Sequence, residues 1–102
     1  MCLLVDDLID TGRTIVKAAE ALKAAGAIGV VVAATHAVFS PPAVEILQSD
    51  FIDRVVVTDT LPVPDAKRWD RLTVLPIAPL LARAIHEVFE DGSVTSMFDG
   101  AA

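Results

Sequence analysis

A single cysteine, Cys2, occurs in the 102 residues. No disulfide can form within the chain, which excludes the cross-linked framework of small secreted domains and suits a reducing cytoplasm. Basic residues are also scarce: eight Lys and Arg against fourteen Asp and Glu, for a net charge of −6. They are scattered and form no stripe, so nucleic acid is not an expected partner. The negative balance disfavours anionic ligands as well, so any phosphate site must work locally, through backbone N–H groups. No apolar run reaches the roughly 18 residues of a membrane span, and no basic segment followed by an apolar one opens the chain. A membrane is therefore not an expected partner. Internal repeats, low-complexity segments and linkers are missing too.

What is present is apolar. Hydrophobic residues make up 54% of the chain and charged residues 22%, which excludes disorder and predicts a packed core. The length fits one domain, residues 1–102. So short a chain buries a modest share of its surface, and an exposed apolar face would call for a partner. Met1 leads straight into Cys-Leu-Leu-Val, which reads as the middle of a strand. A truncated chain is the expectation, with an open sheet edge that favours oligomers or aggregation.

Strand and helix signals alternate. Cys2 to Val5 is a buried strand ending at Asp6-Asp7. Ile15, Ala18, Ala19, Leu22 and Ala25 recur at helical spacing, and Gly26 supplies a stop. Gly29 to His36 is a second strand, too uniformly apolar for a half-exposed one. Ser40-Pro41 starts a helix to about Gln48, with Ser40 as cap. Arg54 to Thr60 is a third strand, and a loop rich in proline and polar residues precedes a fourth, Leu72 to Pro76. Pro79 opens a last helix with Leu80, Leu81, Ala84, Ile85, Val88 and Phe89 on one stripe, ended by Gly92. This order predicts βαβ units, an α/β fold and a parallel sheet.

In an open parallel sheet, ligands sit beyond the carboxyl ends of the strands, where Asp6-Asp7 and the following Asp10-Thr11-Gly12-Arg13-Thr14 are expected. Gly12 permits a tight turn. The free amides of the helix's first turn favour an anion. Thr11 and Thr14 add hydroxyls, and Arg13 adds a cation. Asp6 and Asp7 can accept hydrogen bonds from hydroxyls or face Mg²⁺. Phosphate donors beside hydroxyl acceptors describe a sugar-phosphate site. The plain alternative is that Asp10 or Thr11 caps the helix and Asp6-Asp7 forms a solvated turn.

The whole pattern, an apolar strand, two acids, two apolar residues and Asp-Thr-Gly-x-Thr, resembles the phosphoribosyl pyrophosphate motif of the type I phosphoribosyltransferase fold. Further on, AATHAVFSPPAVEIL, VVVTDTLP and LTVLPIAPLLARAIHEVFEDGSVTSMFDG resemble, in order, segments of ribose-phosphate pyrophosphokinases. The resemblance implies a parallel-sheet phosphoribosyltransferase-like fold, here a partial domain: the later part of the second of two similar domains. It implies transfer of diphosphate from ATP to ribose 5-phosphate with Mg²⁺, giving phosphoribosyl pyrophosphate and AMP, in a homo-oligomer. It assigns ribose 5-phosphate to Asp6, Asp7, Asp10, Thr11, Gly12, Arg13 and Thr14. Arg13 departs from the family's commoner Gly or Cys, which bears on how tight the loop is. The family's ATP-contacting segments, most Mg²⁺ ligands and the basic catalytic loop match nothing in these residues. No catalytic or metal-ligating residue is therefore assigned, and the chain alone is expected to be inactive. The alternatives are a non-catalytic regulatory homologue and a remnant of a base-transferring phosphoribosyltransferase.

By the same resemblance, Ser93 and Thr95 match a segment associated with allosteric phosphate or nucleotide binding; otherwise they belong to a tail that packs Val94 and Phe98. His36 is either at the edge of the site or a hydrogen-bonded structural histidine, the reading preferred. His86 is expected to be exposed, Trp69 to anchor packing or an interface, and Cys2 to be buried and inert.

Overall fold

The computed structural model describes residues 1–90. Four parallel strands, β1 (Cys2–Ile9), β2 (Val30–Ala37), β3 (Arg54–Thr58) and β4 (Leu72–Leu75), lie side by side in chain order. Between them run α1 (Arg13–Ala24), α2 (Ala43–Leu47) and a 3₁₀ turn at Asp65–Lys67, and α3 (Ala78–Phe89) follows β4. The expected parallel α/β architecture is the one observed.

The core forms on one face of the sheet. Val30, Val32, Val55 and Val57 meet Ala19 of α1, Ala43 and Leu47 of α2, and Phe39 and Ile52 from the loops. Ile15, Val16 and Leu22 pack against this cluster. Ala25, expected on the stripe, caps α1 and is exposed. Gly26, at φ 105°, closes the helix as predicted: its amide bonds Lys23 O and the Ala27 amide bonds Leu22 O, the paired bonds of a left-handed terminus. Trp69 folds in from the β3–β4 connection to lie on Phe39, ring centres 5.9 Å apart at 50°, and so acts as the packing anchor expected.

Several boundaries differ from expectation. β1 does not end at Val5 but runs through both aspartates to Ile9. It continues because β2 continues beside it: Asp6 pairs with Ala34, Leu8 with His36 and Ile9 with Ala37. Both strands change phase at this point. Even-numbered Cys2 and Leu4 pack on the core, but so does Ile9; in β2, Val30, Val32 and Ala34 are followed inward by Ala37. β2 is not buried on both faces either, since Val31 and Ala33 are only half-buried. Ser40 does not cap α2. Pro41 and Pro42 bring no amide hydrogen, so the first amide available is that of Ala43, which bonds the Ser40 carbonyl at 2.8 Å, and the helix starts there. Cys2 is half-buried and free.

The second face of the sheet and α3 stay apart. Leu3 and Val5 are 62% and 74% exposed, and on α3 Ile85, Val88 and Phe89 are 58%, 65% and 83% exposed. The stripe on α3 exists as expected, but no residue of that helix is buried. Ser93 and Thr95, with Gly92, Val94 and Phe98, lie outside the described residues.

Candidate functional site at the first strand–helix loop

A hollow of about 170 Å³ opens where β1 hands over to α1, lined by Asp6, Leu8, Ile9 and the run Asp10 to Ile15. Six of the seven residues predicted for the site therefore share one concavity; Asp7 is adjacent in sequence but not in the lining.

Gly12 sets the loop's shape. It is buried, takes φ 79°, ψ 2° and stands at the N-cap of α1 with no side chain capping the helix. The plain alternative for this stretch, Asp10 or Thr11 as a cap, is not what the loop does. The Gly12 carbonyl begins the helix by accepting the Val16 amide at 3.0 Å. Among the described residues the amides of Arg13, Thr14 and Ile15 have no acceptor, as the first turn of a helix requires, and they carry the positive end of its dipole. A Cβ on Gly12 would fall 2.9 Å from Leu47 Cδ2, so α2 closes on this loop from below. Arg13, Thr14 and Asp10 are exposed, and Thr11 is half-buried.

The two adjacent carboxylates are held by the backbone that follows each. Asp6 Oδ1 accepts the Asp7 amide at 2.7 Å, and Asp7 Oδ1 accepts the Leu8 amide at 2.9 Å. The Asp7 carboxyl is held below its usual value, first by hydrogen bonding from the Asp6 side chain and then by the Leu8 amide, with a smaller attraction from His36. Both side chains are exposed and ready to accept from a ligand. Among the described residues no three His, Cys, Asp or Glu side chains gather as a metal site.

A second polar group, which reading of the sequence did not anticipate, lies across the carboxyl ends of β2 and β3. Thr58 Oγ1 donates to the Thr35 carbonyl at 2.7 Å, and Thr60 Oγ1 donates to the same carbonyl at 3.2 Å. His36 Nδ1 sits 2.7 Å from Thr60 Oγ1. The Thr-Asp-Thr at a strand end was the available signal. His36 is hydrogen-bonded, as preferred, but exposed at the carboxyl edge of the sheet; His86 is exposed as expected.

Fold and loop together define a parallel-sheet α/β protein with an open strand–helix turn at the carboxyl edge of its sheet. Comparison with known proteins makes this particular. Residues 1–99 match the family model described as phosphoribosyl synthetase-associated domain, and the chain belongs to that family. It is 61% identical over 98 residues to a ribose-phosphate pyrophosphokinase of Bifidobacterium longum, covering 96% of this chain and 29% of that protein. A ribose-phosphate pyrophosphokinase of Corynebacterium efficiens is 58% identical over 101 residues, covering 99% and 31%. The crystal structure of phosphoribosylpyrophosphate synthetase from Mycobacterium smegmatis superposes with a TM-score of 0.82 at 52% identity, over 89% of this chain and 30% of that one. The chain thus spans about 30% of the length of the relatives it matches.

Proposed function

We propose that this chain is the ribose 5-phosphate-holding portion of a ribose-phosphate pyrophosphokinase, the later part of the second domain. The observation that carries the reading is the set of unpaired first-turn amides at left-handed Gly12, opening on a hollow that Asp6 also lines. The 5-phosphate rests on the amides of Arg13 to Ile15, assisted by the Thr11 and Thr14 hydroxyls and the Arg13 guanidinium. Asp10 orients the loop. Asp6 and Asp7 accept from the sugar hydroxyls. The geometry suits a monoester better than a diffuse polyanion, because the attraction is local in a chain of net charge −6.

In the whole enzyme the sugar's C1 hydroxyl attacks the β-phosphorus of ATP, releasing AMP, and Mg²⁺ would screen the charge of the transferred diphosphate. Asp6 and Asp7 are two carboxylates, the number with which Mg²⁺ is commonly held when phosphates and water complete its shell. The remaining ligands and the ATP contacts belong to other parts of the enzyme. This chain alone positions the acceptor sugar and performs no transfer. The setting is cytoplasmic nucleotide biosynthesis in a homo-oligomer.

Thermal unfolding of the chain with and without ribose 5-phosphate tests the site: the midpoint should rise, and Asp10→Ala or Thr14→Ala should remove the rise. An unchanged midpoint for the intact chain would discard the site. The position within the enzyme is tested by chimeras of the Bifidobacterium longum relative. Substituting this chain for its last third should preserve synthesis of phosphoribosyl pyrophosphate, and substituting it for the first third should not.

A further inference from the structure

The network at the ends of β2 and β3 favours one tautomer of His36. A carbonyl oxygen can only accept, so the single proton of the Thr60 hydroxyl is used on Thr35. What Thr60 offers the ring 2.7 Å away is therefore a lone pair, and Nδ1 carries the hydrogen that meets it. In that arrangement neutral His36 is the Nδ1–H tautomer and its Nε2 is an acceptor. Among the described residues nothing hydrogen-bonds Nε2. The ring is exposed.

Its place is fixed from two directions. Thr60 holds it from the turn after β3, and across the β1–β2 ladder His36 pairs with Leu8, at a strand spacing of roughly 4.8 Å. That puts His36 one step along the ladder from Asp7, the residue before Leu8, whose carboxyl feels a weak attraction from the imidazole. The anchored nitrogen faces the protein's own hydroxyl network, and the exposed ring belongs to the same carboxyl edge of the sheet as the two aspartates.

Resting on the reading of Asp10 to Thr14 as a sugar-phosphate loop, we propose that His36 is a further substrate-binding residue, its Nε2 accepting a hydrogen bond from a hydroxyl of the sugar. The chemistry it selects is a hydroxyl donor. Inorganic phosphate held in the loop brings no sugar hydroxyl to His36, which is not among the residues lining that hollow, so His36 separates a sugar phosphate from inorganic phosphate while the loop binds both.

The test is ¹⁵N NMR of the neutral imidazole, with ribose 5-phosphate and inorganic phosphate as probes. Nδ1 should be the protonated nitrogen in the free chain, ribose 5-phosphate should move the Nε2 resonance, and inorganic phosphate should leave it in place. His36→Ala should weaken ribose 5-phosphate about tenfold, the value of one hydrogen bond, without changing inorganic phosphate binding, and His36→Gln should recover part of the loss by restoring an acceptor. An Nε2–H tautomer, an Nε2 signal indifferent to the sugar phosphate, or equal loss of both ligands in His36→Ala would each overturn the assignment. If the wild-type chain binds neither probe, the phosphate-loop reading falls and takes this one with it. If it binds both with no response at His36, only the present assignment falls.

Discussion

The Asp53 carboxylate accepts the Val30 amide at 2.7 Å, tying the residue before β3 to the first residue of β2, and Lys23 Nζ of α1 stands 3.5 Å from the same oxygen. One side chain thus joins two strands and a helix at the amino end of the sheet. The Val30 amide holds the Asp53 carboxyl below its usual value, with Lys23 and Arg71 adding weaker attraction against partial desolvation. A carboxyl depressed in the folded state stabilises above its unfolded pKa, and the contribution disappears as pH falls through the folded one. Asp53→Ala should therefore lower the thermal midpoint at neutral pH, and the gap to wild type should begin to narrow as pH drops below about 4 and go on narrowing through the lower folded-state value. Midpoints measured in parallel for the two proteins from pH 7 downward check this; a constant gap would contradict it.

Gly12 is constrained twice, by φ 79° and by Leu47 Cδ2, 2.9 Å from where a Cβ would stand. Left-handed backbone costs an ordinary residue about 1–2 kcal/mol, and pressing on a fully buried leucine adds about 1–3 kcal/mol. Gly12→Ala should thus destabilise by roughly 2–5 kcal/mol in urea unfolding. The proposed phosphate loop would be distorted as well, so any shift induced by ribose 5-phosphate should shrink beyond what lost stability explains. A variant as stable as wild type would mean the loop adapts freely.

The Phe39–Trp69 pair separates shape from polarity. Phe39 is 1% exposed, so Phe39→Ala should cost about 3–5 kcal/mol. Trp69 Nε1 is buried with no hydrogen-bond partner among the described residues. Trp69→Phe discards that donor and keeps a ring on Phe39, so it should cost under about 1 kcal/mol, because no bond is lost and a desolvation penalty is relieved. Chemical denaturation of both variants decides the matter; a large loss in Trp69→Phe would reveal a partner for the indole.

Sequence patterning was sufficient for the alternation of strands and helices and for the grouping of six site residues around Gly12, because both rest on local rules: period, turn residues and the free amides of a helix start. It failed where the answer is tertiary. The aspartates read as lying past a strand end, yet β1 continues through them because β2 runs alongside as far as Ala37. Ser40 has the chemistry of a cap, but two prolines delay the helix to Ala43. The contact between His36 and Thr60 spans 24 residues, and no local pattern foretells it.

The last helix provides the sharpest contrast between pattern and packing. Its stripe looks like a core face, yet Leu81, Ile85, Val88 and Phe89 are 53%, 58%, 65% and 83% exposed. Burial, not hydrophobicity, is what a polar substitution penalises. Ile85→Glu and Val88→Glu should therefore change the stability of this chain by no more than about 0.5 kcal/mol, whereas Val57→Glu, at 1% exposed on the packed face of β3, should prevent folding. The glutamates interrupt an uncovered apolar strip, so they should also raise solubility. Urea midpoints and the concentration at which light scattering begins test both statements. Strong destabilisation by either glutamate would show that α3 buries its stripe in solution.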